Sequence, residues 1–136
     1  MLINKRCQNM PKRVLLDTNI IVRFLVRDHE THFQKAYQIF QDIEDMKLEA
    51  HLLDFILAEV VYVLKNIYKF PKKDISKTLQ QLLMYQNLIL ENKLISYEAL
   101  TIYHEKNIDF ADAYLCAKKS LEDYEILTFD KDIQKC

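Results

Sequence analysis

Short apolar runs alternate along the chain with stretches in which apolar residues recur at helical spacing. The runs have the length of buried strands, and we predict strands at residues 14–16, 50–55, 88–90 and 125–129. The stretches between them predict helices at residues 20–26, 30–47, 56–68, 75–83, 97–106 and 110–121. Strands that are apolar throughout and separated by helices are typical of a parallel sheet, so the predicted fold class is α/β.

The first segment, residues 1–12, is polar and without periodicity, and we expect it to form a loose N-terminal leader in which Met10 is a second candidate start. Residues 13–136 contain no repeat or linker and have the length of one domain. The chain start lacks an apolar segment of signal-peptide length, and no apolar run approaches the roughly 18 residues that span a bilayer. We therefore expect a cytoplasmic protein without a membrane segment.

The absence of glycine excludes two classes of nucleotide site, because neither a GxGxxG fingerprint nor a glycine-rich P-loop can exist in this chain. Turns and helix ends that require a positive φ must use other residues. Asparagine tolerates that region better than most residues, and the candidates are Asn66, Asn87, Asn92 and Asn107.

Charge and cysteine content are uninformative on their own. A net charge of −1 gives no overall basic signature for nucleic acid, although neutralising four acids with metal would leave −1 + 4 = +3. The cysteines, Cys7, Cys116 and Cys136, have neither metal-site spacing nor the pattern of a disulfide framework, so we expect free thiols.

Asp17 interrupts an otherwise apolar stretch, although burying an unpaired carboxylate costs roughly several kcal/mol. Three other acids occupy equivalent places, at the carboxyl end of a predicted strand or early in the helix that follows one. In an open parallel sheet these places lie along one edge, where ligands bind. The candidate site residues are therefore Asp17, Glu59, Asp112 and Asp130.

Three of these acids have a local structural alternative. Asp112 follows Asp109 at the spacing of a capping box, although Glu or Gln is preferred at the later position. Asp130 could be an ordinary turn aspartate. Asp17 could cap the next helix, although Asn19 is at least as well placed for that role.

Glu59 has no such alternative, because it lies about 40° from Val63 on a helical wheel, beside the apolar stripe, and needs a partner. Four gathered carboxylates repel one another unless cations lie between them, and hard oxygen ligands suit Mg²⁺ or Mn²⁺. Such an ion polarises phosphate oxygens and activates water. The predicted chemistry is metal-dependent phosphodiester hydrolysis without a covalent enzyme intermediate.

Four segments in this order resemble the PIN domain and, within that superfamily, the small VapC-type ribonuclease toxins: VLLDTNIIVRFLV, LAEVVYVLKNIYK, DFADAYLCAKKS and ILTFDKDI. The resemblance extends from about Arg13 to Lys135. It implies a single PIN-like domain over residues 13–136, with a three-layer α/β/α sandwich around a short parallel sheet. Two departures are the missing glycine before the last strand and the chain end six residues after Asp130.

The resemblance also implies roles for individual residues. Asp17 and Asp112 most directly hold Mg²⁺, with Mn²⁺ as an alternative, while Glu59 and Asp130 complete the acidic pocket. The remaining motif positions are the supporting polar residues Asn19 and Thr128 and the variable flanking acids Asp109 and Asp132. The implied activity is that of an endoribonuclease toxin from a type II toxin–antitoxin pair, with RNA as substrate, an antitoxin protein as partner and a homodimer as assembly.

Several basic and aromatic residues near the predicted site could contact RNA, with a solvated surface charge or a core position as the alternative: Arg23, Arg27, Lys65, Lys69, Lys131, Tyr62 and Tyr68. Alternative functions are an RNA-processing PIN nuclease outside a toxin system and a non-catalytic PIN-like binding module. A phosphatase that uses Asp17 as nucleophile is disfavoured, since Asn19 stands where its second aspartate belongs.

Overall fold

A computed structural model of the chain describes residues 10–131 and 133–136. The chain divides into two compact units. We name the first the sheet unit, which contains the described residues up to Val60 together with Met84–Leu90. The second, the helical unit, contains Val61–Leu83 and Glu91–Cys136.

A three-stranded parallel sheet lies in the sheet unit, with the strand order β1-β2-β3. The strands are Lys12–Leu15 (β1), Leu48–His51 (β2) and Leu88–Ile89 (β3). Backbone pairing continues beyond β1, since Leu16 N donates to His51 O over 3.1 Å. The predicted α/β class and the presence of the first three strands are confirmed, with β1 and β2 beginning two residues earlier than expected. The predicted end of the second strand is wrong, because β2 ends at His51 and a helix begins at Asp54.

Six α-helices connect and follow the strands within the described part of the chain. They are Thr18–Val26 (α1), Glu30–Glu44 (α2), Asp54–Asn66 (α3), Lys72–Leu83 (α4), Lys93–Glu105 (α5) and Phe110–Leu121 (α6). The boundary between the units falls within α3, after Val60. In residues 10–131 and 133–136 we find no helix that combines the length and the apolar character needed to cross a membrane.

The core of the sheet unit forms where α1 and α2 pack together. Phe24 of α1 stacks on Phe40 of α2 with ring centroids 4.2 Å apart, and Tyr85 contacts the edge of Phe40 at 5.6 Å. Ile21 and Ile43 are completely buried beside them. Burial of such side chains contributes about 1.5–3 kcal/mol each, which fixes α1 and its N-terminus against α2.

The helical unit is organised by α4, α5 and α6. The Ser76 hydroxyl on α4 donates to Leu100 O of α5 over 2.6 Å, which satisfies a fully buried polar group. Tyr103 of α5 packs against the edge of Phe110 on α6 with ring centroids 5.9 Å apart. These contacts hold the start of α6, and therefore Asp112, against α5.

The fourth predicted strand, residues 125–129, does not form within the described structure, and this prediction was wrong. A strand requires a partner for its backbone groups, and an apolar run specifies no partner. Instead, Leu127 is 89% exposed and Phe129 fully exposed. The backbone then turns, with Asp130 N donating to Thr128 Oγ1 over 2.9 Å.

The sequence also predicts Asp74 and Ser96 as the N-caps of the helices at residues 75–83 and 97–106, and both predictions are wrong. Asp74 lies inside the first turn of α4, where its N–H donates to Pro71 O over 3.0 Å. Ser96 is fully buried within α5, and the cap is Asn92, whose side chain accepts a hydrogen bond from Ile95 N over 3.1 Å. In both cases the helix begins earlier in the chain than predicted, because other residues near the predicted start can also begin a helix.

Positive-φ backbone occurs at Arg27, Met46, Lys69 and Asn107. Asn107 alone among the four predicted asparagines is in this set. At Arg27, Met46 and Lys69, residues with long side chains adopt a positive φ, which is sterically unfavourable for them.

The cysteine prediction is corrected at two positions. Cys116, buried on α6, forms a disulfide with Cys136, so these residues are not free thiols. The short helical turn Ile133–Lys135 packs against α6 and returns the chain end to that helix. Cys7 lies outside the described residues.

The Tyr103 hydroxyl gives a stability prediction. It is buried without a hydrogen-bond partner among the described residues, and burial raises the pKa of Tyr103 to about 12. Tyr103→Phe removes the desolvated hydroxyl and should raise the free energy of unfolding by about 1 kcal/mol. Because the raised pKa disfavours ionisation in the folded state, the wild type should lose further stability relative to the variant as pH rises from 10 to 12.

Urea unfolding measures this difference, and Tyr97→Phe, at an exposed position of the same helix, is the matched control. A loss of stability in Tyr103→Phe would contradict the inference that its hydroxyl is unsatisfied.

Candidate functional site

Asp17 stands where the β1 ladder ends and α1 begins. Its backbone is extended, with φ −87° and ψ 157°, and its side chain is the N-cap of α1. Asp17 Oδ1 accepts a hydrogen bond from Thr18 N over 2.8 Å. The capping role considered for Asp17 is therefore confirmed, and Asn19 lies inside the helix. A carboxylate has a second oxygen and several lone pairs, so the cap leaves ligand capacity at Asp17.

Glu59 has the partner that its helical position requires. Thr18 Oγ1 donates to Glu59 Oε2 over 2.8 Å, while Thr18 is only 8% exposed. Glu59 itself is exposed, whereas Leu57 and Val60 beside it on α3 are buried. Two predicted site acids of the sheet unit are thus linked through one threonine, with Asp17 on its backbone and Glu59 on its hydroxyl.

Thr18 was missed in the sequence analysis. Its contact with Glu59 spans 41 residues, and local pattern alone does not identify it. The available signal was its place directly after Asp17, where a buried hydroxyl must find an acceptor.

The acids of the helical unit have different surroundings. Asp112 is half-buried in the first turn of α6, and Asp109 is the N-cap. The Asp109 side chain makes no cap hydrogen bond, so the proposed capping box is not formed from Asp109. Asp130 is exposed in the turn held by Thr128, and its turn geometry is confirmed. Asp132 lies outside the described residues.

Hard oxygen donors make up the predicted ligand set, and their chemistry fits Mg²⁺ or Mn²⁺. In the sheet unit, Asp17 and Glu59 each use one named oxygen in hydrogen bonding and carry a second. Across residues 10–131 and 133–136, no three His, Cys, Asp or Glu side chains are gathered closely enough to hold a metal ion. The four-acid metal site therefore stays a prediction.

The five basic residues that the sequence offered as RNA contacts lie in different environments. Arg23 Nη1 is 2.7 Å from Asp28 Oδ1, and Arg27 lies over the Phe33 ring at 4.1 Å. Lys69 is exposed at a positive φ of 60°. The other two, Lys65 and Lys131, are half-buried and exposed respectively.

The two tyrosines differ. Tyr62 is 63% exposed, so the core alternative is wrong for it, while Tyr68 is half-buried and stacked on Phe70 with ring centroids 6.2 Å apart. Tyr62 thereby keeps a ring face available for stacking with a base.

Lys72 is a second residue that sequence reasoning missed. Its Nζ donates to Ile108 O over 2.9 Å and lies 4.6 Å from the Tyr103 ring centroid. Burial, followed by repulsion from Lys65, lowers the pKa of Lys72, while the Asp109 charge acts in the opposite direction. Lys72 thus places a positive charge near the beginning of α6 in the helical unit.

Comparison with known proteins adds family information. A model of the PIN domain family matches residues 14–136. A VapC ribonuclease from Aquifex aeolicus (strain VF5) is 25% identical over 122 residues, which cover 89% of this chain and 90% of that protein. No solved structure matches the chain. The matched segment contains all four predicted site acids.

The Thr18–Glu59 hydrogen bond yields a prediction that is independent of activity. Thr18→Val preserves shape but removes the donor, and it should lower the free energy of unfolding by about 1 kcal/mol. Thr18→Ser, which retains the hydroxyl, should lose less. Thr31→Val, at an exposed position of α2, is the matched control and should change little.

Urea unfolding of the single variants and of Thr18→Val combined with Glu59→Ala measures the coupling. If Thr18→Val costs the same with and without Glu59, the hydrogen bond contributes nothing to stability.

Proposed function

The chain belongs to the PIN domain family, and from that premise we propose that it is a Mg²⁺-dependent endoribonuclease. One observation carries the proposal: the family match covers residues 14–136, a segment that includes Asp17, Glu59, Asp112 and Asp130. The linkage of Asp17 and Glu59 through Thr18, at the carboxyl end of a parallel ladder, supports it. Similarity to a VapC ribonuclease supports RNA as the substrate class.

In this proposal the four acids have different roles. Asp17 and Asp112 hold Mg²⁺, or Mn²⁺ in its place, and Glu59 and Asp130 complete the acidic set. Held there, Mg²⁺ would supply Lewis-acid chemistry for phosphodiester hydrolysis. If the four carboxylates gather in the active protein, a cation between them would offset their mutual repulsion.

Other residues of the chain orient the acids and the phosphate in this proposal. Thr18 fixes one oxygen of Glu59, and the Asp17 cap fixes the end of α1. The N–H groups at that helix end carry partial positive charge, which favours a phosphate there. Asn19 and Thr128 act as supporting polar residues, since Asn19 is exposed in the first turn of α1 and Thr128 holds the Asp130 turn.

The biological setting follows the same similarity. We propose that the protein is the toxin of a type II toxin–antitoxin pair, acts in the cytoplasm as a homodimer and is inhibited by an antitoxin protein. The support is its similarity, along almost the entire chain, to a VapC ribonuclease. A neighbouring short reading frame that encodes a DNA-binding protein would favour this setting over RNA processing.

The nuclease proposal is tested with structured and single-stranded RNA in Mg²⁺, Mn²⁺ or EDTA. Wild-type protein should cleave RNA in the presence of either metal and should not cleave it in EDTA. Asp17→Asn should reduce the cleavage rate roughly 100-fold or more, because it removes a charged metal ligand. The matched control is Asp45→Asn, at the exposed end of α2, which should cleave at the wild-type rate.

Cleavage that persists in EDTA, or that Asp17→Asn leaves intact, would contradict the metal-site assignment. Absence of both cleavage and metal binding in the wild type would favour a non-catalytic PIN-like module.

A further inference from the structure

A cavity of about 220 Å³ opens between α1 and α2 in the sheet unit. Four polar side chains and one apolar residue line it: Asn19, Ile20, Arg23, His32 and Lys35. Three of the four polar residues are basic types, and none of the acidic residues in the described part of the chain lines the cavity. Its lining begins at Asn19, two residues beyond Asp17 and next to Thr18.

The turn between α1 and α2 fixes the geometry of this cavity. Arg27 enters the left-handed region with φ 54° and reverses the chain between the two helices. His29 then caps α2, because its Nδ1 accepts a hydrogen bond from His32 N over 3.1 Å. The His29 and His32 rings stack with centroids 3.9 Å apart, which orients His32 at the cavity wall.

Basic side chains line the cavity on both helices. Lys35 is exposed on α2, and Arg23 carries its guanidinium on α1. Asp28 contacts Arg23 Nη1 at 2.7 Å and thereby positions the guanidinium, whose five N–H groups are spread over three nitrogens.

The same basic groups act on His32. Repulsion by His29 lowers the pKa of His32 most strongly, followed by burial and by the charges of Arg23 and Lys35. Protonation is disfavoured where positive charge is already concentrated. A bound anion would relieve this repulsion.

We propose that the cavity binds a backbone phosphate of single-stranded RNA, beside the phosphate that is cut. This inference rests on the proposed ribonuclease function. The lysine and guanidinium provide charge, and the Asn19 amide and the imidazole provide hydrogen-bonding groups, a combination that suits a tetrahedral anion.

Position favours an RNA strand over an acidic protein segment as the occupant. Asn19 and Arg23 lie four residues apart on one face of α1, separated by about one helical turn of 5.4 Å. The line of polar groups thus continues from Asp17 along the helix into the cavity. An RNA strand with one phosphate at Asp17 would place a neighbouring phosphate along this line.

Salt dependence of RNA binding tests the proposal, because each lost phosphate contact reduces the slope of log Kd against log salt by about 0.7 for single strands. A fluorescein-labelled single-stranded RNA is titrated in EDTA, which prevents metal-dependent cleavage, at several KCl concentrations. Lys35→Gln should reduce the slope by about 0.7, and Lys35→Arg should restore it. Lys47→Gln removes an exposed lysine of the same unit away from the cavity and should leave the slope unchanged.

A second measurement examines the cavity without RNA. Inorganic phosphate should shift the NMR signals of the His32 ring in wild-type protein and in Lys47→Gln, with a much smaller shift in Lys35→Gln. Circular dichroism of Lys35→Gln should match the wild type, since Lys35 is exposed.

The outcomes separate this inference from the proposed function. Wild-type RNA binding with equal slopes in Lys35→Gln and Lys47→Gln would overturn the cavity assignment and leave the nuclease proposal intact. A phosphate-dependent His32 shift with unchanged RNA slopes would reveal a site for free anions only, which also overturns the RNA assignment.

Two further results would also overturn the RNA assignment. One is a Lys35-dependent loss of binding to a glutamate-rich peptide with RNA binding unchanged, which would identify an acidic protein segment as the occupant. The other is a wild type that neither binds nor cleaves RNA, which would overturn the proposed function, while the phosphate titration would still report on the cavity as an anion site.

Discussion

The hydrogen bond from Thr18 to Glu59 links the turn after the first strand to the helix after the second. It requires the parallel pairing of β1 and β2, which ends with Leu16 N bonded to His51 O. That pairing brings the start of α1 and the start of α3 to the same edge of the sheet, as parallel strands demand. Asp17 itself is exposed and caps α1, so its carboxylate does not carry the cost of an unpaired buried charge.

The same arrangement orders the charges of the sheet unit along α1. Asp17 and Glu59 place negative charge at the helix N-terminus, and Arg23, His32 and Lys35 surround a cavity further along. The acidic pair therefore lies at the N-terminus of α1, and the basic groups of α1 and α2 lie further along it. The proposed metal ion belongs to the first region and the proposed phosphate to the second.

Sequence predicted best where one strong local pattern acted alone. The bounds of α6 were predicted to the residue, because Asp109 and the apolar spacing agree. Helix starts with several competing polar residues were predicted poorly, as Asn92 in place of Ser96 shows. The prediction of a fourth strand was wrong because apolar character does not specify a backbone partner. Thr18 and the cavity residues His32 and Lys35 were missed, since contacts between separate elements decide their roles.

Metal affinity tests the central claim, that acids distant in sequence act as one unit, most directly. Mn²⁺ binding would be measured by calorimetry for wild type, Asp17→Asn, Asp112→Asn and the double variant, with Asp45→Asn as control. A shared site predicts that either single substitution removes most of the binding free energy and that the second adds little. Two results would contradict a shared acidic metal site. In one, the losses of binding free energy in the single variants add up in the double variant; in the other, the single variants bind Mn²⁺ as the wild type does.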